Sequence, residues 1–142
     1  MTPTQTGNAL NFVAGTWHPG HSTDVLDVLN PATAEVLVKV PLASAEDTNA
    51  AVAAAAAAFP EWRRTPPQSR IQFLFKFRAL LEQHADEIAS LCTQENGKTF
   101  AESRAELARG IENVEVACGI PTLMQGYNLE DVASGIYEIM IR

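Results

Sequence analysis

Every residue from 50 to 59 is alanine except Val52 and Phe59. Alanine has the highest helix propensity of the common residues, and its small side chain leaves a thin cylinder against which another element can pack closely. The run therefore predicts a tightly packed helix rather than a functional segment. Ser44 supplies an N-cap, and Glu46 and Asp47 fall in the first turn, where the helix dipole favours negative charge. Pro60 has no amide proton and is expected to stop the helix.

The chain before this helix reads as extended. Leu10-Asn11-Phe12-Val13, Ala14-Gly15 and Thr16-Trp17 fit a short hairpin with Gly15 in the turn. Residues 24–29 and 35–40 are rich in Val and Leu, as half-buried strands are. Between them, Asn30-Pro31-Ala32-Thr33 has the composition of a turn.

The chain after it predicts two more helices. One starts at Thr65, with Pro66 in the first helical position and Gln68 completing a capping box. Leu74, Phe77, Leu81, Ala85, Ile88 and Cys92 recur on one apolar face, which Phe73 and Leu80 widen. Asn96-Gly97 ends it, since glycine accepts the left-handed conformation of a C-terminal cap. Thr99 and Glu102 form another capping box, followed by the stripe Phe100, Leu107, Ile111, Val114 and Cys118. Gly119 and Pro121 end or bend that pattern. Residues 136–142 alternate like a strand with no visible partner. The expected fold class is α/β: antiparallel strands at the N-terminus, three helices and a terminal strand.

A length of 142 residues and 46% apolar composition suit a folded domain rather than a disordered chain. With 17 acidic against 10 basic side chains, the net charge of −7 disfavours nucleic acid, whose phosphates require a basic face. The longest uncharged apolar stretch, 50–59, falls short of the ~20 residues that cross a membrane. The opening MTPTQTGN carries no Arg or Lys, so a signal or transit peptide is not expected. Residues 1–9 read as a disordered start, residues 10–142 as the folded segment, and the cytoplasm as the location. Two cysteines make no disulfide framework, which fits a reducing compartment.

Few residues announce chemistry. Neither a G-x-G-x-x-G turn nor a P-loop is present. Gly97-Lys98-Thr99 ends like a P-loop, but a helix stop followed by a helix cap accounts for all three residues. Cys92 and Cys118 lie on apolar stripes without a nearby histidine, the setting of a buried cysteine rather than a nucleophile, and their spacing makes no zinc pattern. His18 and His21 form an H-x-x-H loop pair that offers two ligands to a metal site, too few to define one, so solvated loop residues are the default reading; His84 reads as a surface residue. Arg109 lies nearly opposite the Leu107 stripe, with Glu102, Glu106 and Glu112. It reads either as part of an exposed ion-pair row or as a guanidinium that grips a substrate carboxylate through two parallel hydrogen bonds.

Five segments in order resemble the N-terminal part of an aldehyde dehydrogenase. They are Asn11-Phe12-Val13-Ala14-Gly15-Thr16-Trp17 and Val28-Leu29-Asn30-Pro31-Ala32-Thr33-Ala34-Glu35, the alanine helix ending Phe59-Pro60-Glu61-Trp62, the helix containing Arg70, and Glu95-Asn96-Gly97-Lys98-Thr99. The stretch from Arg109 to Pro121, with Leu123-Met124-Gln125-Gly126 after it, is similar to the methylmalonate-semialdehyde dehydrogenase branch. The resemblance covers nearly the whole chain, as part of that family's cofactor-binding domain. It implies NAD-dependent oxidation of a malonate-type semialdehyde to an acyl-CoA through a cysteine thioester, in an enzyme that is usually a dimer or tetramer. It also implies a substrate-carboxylate role for Arg109, where many other members carry an apolar residue.

The family's nucleophilic cysteine, oxyanion asparagine, cofactor lysine and glycine-rich turn lie further along than Arg142. Neither Cys92 nor Cys118 matches the nucleophile. No catalytic, cofactor-binding or metal-ligating residue is therefore assigned in this segment, and the segment alone is expected to be inactive and to bind neither NAD nor CoA. In some members Glu95 and carbonyls near Val28 help hold a monovalent cation; no such role is assigned here. The competing reading is a non-catalytic assembly module that uses the terminal strand and the helical faces. The helical faces look shaped to cover a missing sheet, which predicts exposed apolar surface and self-association.

Overall fold

The computed structural model describes residues 8–141. The disordered start expected over residues 1–9 lies, for residues 1–7, outside the described residues. Asn8 forms an isolated parallel bridge with Lys39, and the Ala9 amide donates to the Lys39 carbonyl at 2.7 Å. The chain forms two compact units, one from Met1–Arg64 and Asp86–Ala105, the other from Thr65–Ala85 and Glu106–Arg142.

In the first unit, β1 (Asn11–Val13) and β2 (Thr16–His18) pair antiparallel around the expected turn at Ala14-Gly15. Phe12 lies opposite Trp17 across the pair, with ring centroids 4.9 Å apart. Then β3 (Val25–Leu29) and β4 (Val36–Pro41) form a second antiparallel pair, and Lys39 bridges to Asp27 across it at 2.7 Å. The turn between them is locally determined: the Asn30 side chain accepts from the Ala32 amide at 2.9 Å.

Helix α1 (Ala45–Arg64) begins where expected, because Ser44 and Asp47 cap it reciprocally. The Asp47 amide donates to Ser44 Oγ at 3.1 Å, while the Ser44 amide and hydroxyl donate to Asp47 Oδ2 at 2.9 and 2.8 Å. Pro60 does not stop the helix, as the sequence had suggested; it lies inside it. Proline removes one hydrogen bond, to the Ala56 carbonyl, and the high propensity of the preceding alanines carries the helix past that single loss. Arg63 and Arg64 then occupy the last turn, where the dipole favours positive charge.

The single helix expected from Thr65 to Asn96 is two helices. In the second unit α2 (Pro67–Gln83) follows Pro66, so the helix begins two residues after Thr65, with a proline in its first turn. His84 leaves helical geometry at φ −103° and ψ 17°, and α3 (Ala85–Asn96) restarts with Asp86 and Glu87 in its first turn. The apolar stripe runs through the break, which is why periodicity conceals it. Helix α4 (Phe100–Cys118) and the short α5 (Ile120–Leu123) complete the helices.

The terminal strand has a partner, contrary to the reading from sequence. In the second unit β5 (Tyr127–Ala133) and β6 (Ile136–Met140) form an antiparallel hairpin. A register shift between Leu129 and Ala133, with Asp131 at φ +53°, interrupts the alternation that would have marked β5. A β-carbon on Gly126 would lie 1.8 Å from the Met140 carbonyl oxygen, so only glycine lets the strand start so close to its partner.

The α/β class holds. Buried residues are Ala89 and Ser103 in the first unit and Ile71, Ala85 and Cys118 in the second. Much apolar surface remains exposed, including Phe73, Phe75, Phe77 and Leu80 on α2 and Tyr127, Leu129, Tyr137 and Ile139 on the hairpin. Among the described residues, no helix is long and apolar enough to cross a membrane.

Candidate functional site

The candidate anchor, Arg109, is carried by α4, and the start of that helix is fixed by its own sequence. The Thr99 amide and hydroxyl donate to Glu102 Oε2 at 2.9 and 2.8 Å, and the Glu102 amide donates back to Thr99 Oγ1 at 3.3 Å. The bonds from Thr99, its backbone amide first, and to a lesser degree the positive charge of Lys98 hold the Glu102 carboxyl below its usual range. In the same unit Ser103, only 1% exposed, shares a 3.0 Å hydrogen bond with Thr93 of α3, and Arg104 pairs with Asp86 at 3.0 Å.

Further along α4, in the second unit, Leu107, Ile111 and Val114 are half-buried and Cys118 is buried. The stripe therefore turns inward as its spacing requires. Glu115, one turn after Ile111, accepts from Arg78 Nε of α2 at 2.6 Å, and Arg78 Nη1 also bonds Glu82 at 2.8 Å. The Glu115 carboxylate is the main reason that the Arg78 guanidinium is held even more firmly protonated than usual.

Arg109 itself is exposed, on the outward side of α4. It makes no hydrogen bond or ion pair among the described residues. The ion-pair row that spacing offered is therefore not formed around it, and Glu102 is turned back to Thr99 instead. Beside it, a β-carbon on Gly110 would meet nothing within 4 Å. What the arrangement offers chemically is a free, planar cation on a rigid element, suited to a carboxylate.

The other residues singled out from sequence find structural places. Gly97 has φ +81° at the end of α3, and Thr99 caps α4, so Gly97-Lys98-Thr99 is a helix stop and a cap. Cys118 is buried and Cys92 half-buried, both as free thiols. His84 is exposed at the break after α2. Glu95 is exposed near the end of α3 and Val28 is half-buried in β3. Among the described residues, no three His, Cys, Asp or Glu side chains are grouped to hold a metal ion.

His18 and His21 are engaged rather than simply solvated. His18 Nε2 is 2.6 Å from Thr16 Oγ1, and His21 Nδ1 is hydrogen-bonded to Asp47 Oδ1. Sequence reasoning missed the second link because its partners are 26 residues apart. The described strands pair only as antiparallel hairpins, so the parallel strand–turn–helix cradle for a dinucleotide pyrophosphate is not among them.

Residues 17–142 match the model of the aldehyde dehydrogenase family, and the chain belongs to that family. Within it, the chain is 49% identical over 139 residues to malonate-semialdehyde dehydrogenase 2 of Geobacillus thermodenitrificans, covering 98% of this chain and 29% of that protein. The crystal structure of methylmalonate-semialdehyde dehydrogenase from Oceanimonas doudoroffii superposes with a TM-score of 0.83 at 43% identity, over 94% of this chain and 27% of that one. A Sinorhizobium meliloti structure, described as a methylmalonate-semialdehyde dehydrogenase complexed with NAD, gives a TM-score of 0.86 at 36% identity, over 99% and 28%. The chain thus spans less than a third of the length of these relatives.

Proposed function

We propose that this chain is the N-terminal part of an NAD-dependent, CoA-acylating methylmalonate- or malonate-semialdehyde dehydrogenase, and that Arg109 holds the substrate carboxylate. The observation that carries this reading is an exposed guanidinium with no partner among the described residues, on α4, in a chain similar to enzymes named for semialdehydes that bear a carboxylate. A substrate carboxylate leaves water at low cost only when a charged, bidentate donor replaces its hydration.

In this reading the remainder of the whole enzyme supplies the nucleophile and the cofactor contacts, and the present segment alone is inactive. NAD, held by the remainder of the whole enzyme, would supply a hydride acceptor there. The contribution of this chain's own residues is to bind and orient: Arg109 fixes the acid end so that the aldehyde end meets the reacting groups at a set distance. The apolar side chains left exposed on α2 and on the β5–β6 hairpin support a whole enzyme in which further elements or further subunits cover them, as in a homo-oligomer; a cytoplasmic location belongs to the same reading. The deciding experiment is Arg109→Leu in the whole enzyme, assayed on a semialdehyde acid and on propanal. Equal losses on both substrates would remove the carboxylate role.

A further inference from the structure

We propose that His21 and Asp47 form a pH-sensitive latch that fastens the loop at residues 19–23 to the start of α1. The loop joins β2 to β3, and two separate hydrogen bonds tie it to one carboxylate. His21 Nδ1 bonds Asp47 Oδ1, and the His21 amide donates to Asp47 Oδ2 at 3.4 Å. Asp47 is already fixed by the amide and hydroxyl of Ser44, so the acceptor is rigid before the loop reaches it.

The two ends differ in access to water. The Asp47 side chain is 11% exposed, the His21 side chain 69%. A held carboxylate therefore faces an imidazole that can exchange its proton freely. With Phe12, His18, Gly20 and Thr48, both residues line an open recess of about 680 Å³, so the latch fixes one wall of that recess.

The groups facing His21 are Asp47 and Glu46, both from α1, and both favour its protonated form; the hydrogen bond to Asp47 is the largest cause of the raised value. His18 of β2 lines the same recess, with its ring nitrogen on Thr16. Asp47 stays ionised, because its bonds from Ser44 and His21 hold the carboxyl well below the ordinary carboxylate range. A histidine raised in the folded chain contributes its full stabilisation below the ordinary value of 6.5 and loses it as pH rises through the raised value. Below that point an imidazolium donates to a carboxylate, a charge-assisted bond; above it only a neutral N–H is left to donate.

The test is amide hydrogen exchange in the intact protein, corrected for intrinsic pH dependence, from about pH 5.5 to about pH 9. Protection at residues 19–23 is expected to fall severalfold as pH rises in the wild type. His21→Gln should show the weaker protection at every pH, while the amides of α1 stay as protected as in wild type, because Ser44 and Asp47 still cap the helix. Wild-type protection that does not change with pH, or a His21→Gln variant with the wild-type pH dependence, would overturn the latch. The outcome is independent of the role of Arg109.

Discussion

A β-carbon added to Gly97 would lie 2.8 Å from Cγ of Pro31. The stop after α3 and the turn between β3 and β4 are thus in contact, and both ends of the contact are shaped by residues that fix backbone geometry. Gly97 also has φ +81°, where an L side chain is strained.

Gly97→Ala is therefore expected to destabilise the chain twice over, through strain and through the clash, by about 2–4 kcal/mol in total. Urea denaturation measures it. Adding Pro31→Ala should recover the clash portion and leave the strain, so the two substitutions will not be additive. Additive losses would show that the contact is unimportant.

Arg109→Leu in the whole enzyme should lower kcat/KM for the semialdehyde acid by about 10- to 100-fold, the range for losing a hydrogen bond to a charged group. The loss should lie mainly in KM, because the acid end does not change during the reaction. Steady-state kinetics with propanal should show little change.

Acid should loosen the start of α4. Glu102 is held below its ordinary value of 4.5, so its contribution is present above that value and is lost as pH falls through the lowered one. Thermal melts across that acidic range should show a steeper loss of stability in the wild type than in Thr99→Ala, which lacks the hydroxyl of the capping box. Identical pH slopes would mean that the box contributes nothing to acid sensitivity.

The two thiols should separate under native labelling. Cys118 is buried and Cys92 half-buried, so a small electrophile should modify Cys92 first and Cys118 only as the structure opens. Rapid modification of Cys118 in the folded chain would contradict its packing role.

The sequence alone determined what depends on residues within a few positions of one another. Ser44 with Asp47 and Thr99 with Glu102 marked two helix starts, Gly97 marked a stop, and Gly15 and Pro31 marked two turns, because caps and turns close their hydrogen bonds locally. The five segments from Asn11 to Thr99, taken in order, were enough to indicate the family. Tertiary structure decided the rest. Proline propensity alone could not say that α1 continues through Pro60, and an unbroken apolar stripe hid the interruption at His84. The irregularity at Asp131 hid β5, since a shifted register destroys the two-residue period that reveals a strand. Most telling are the side chains. Spacing on a helix offered Arg109 several carboxylates, yet Glu102 is held by its own cap; His21 looked solvated, yet meets Asp47 across 26 residues. Local propensity sets which conformations a segment favours, but which distant groups meet is fixed only when packing selects one arrangement.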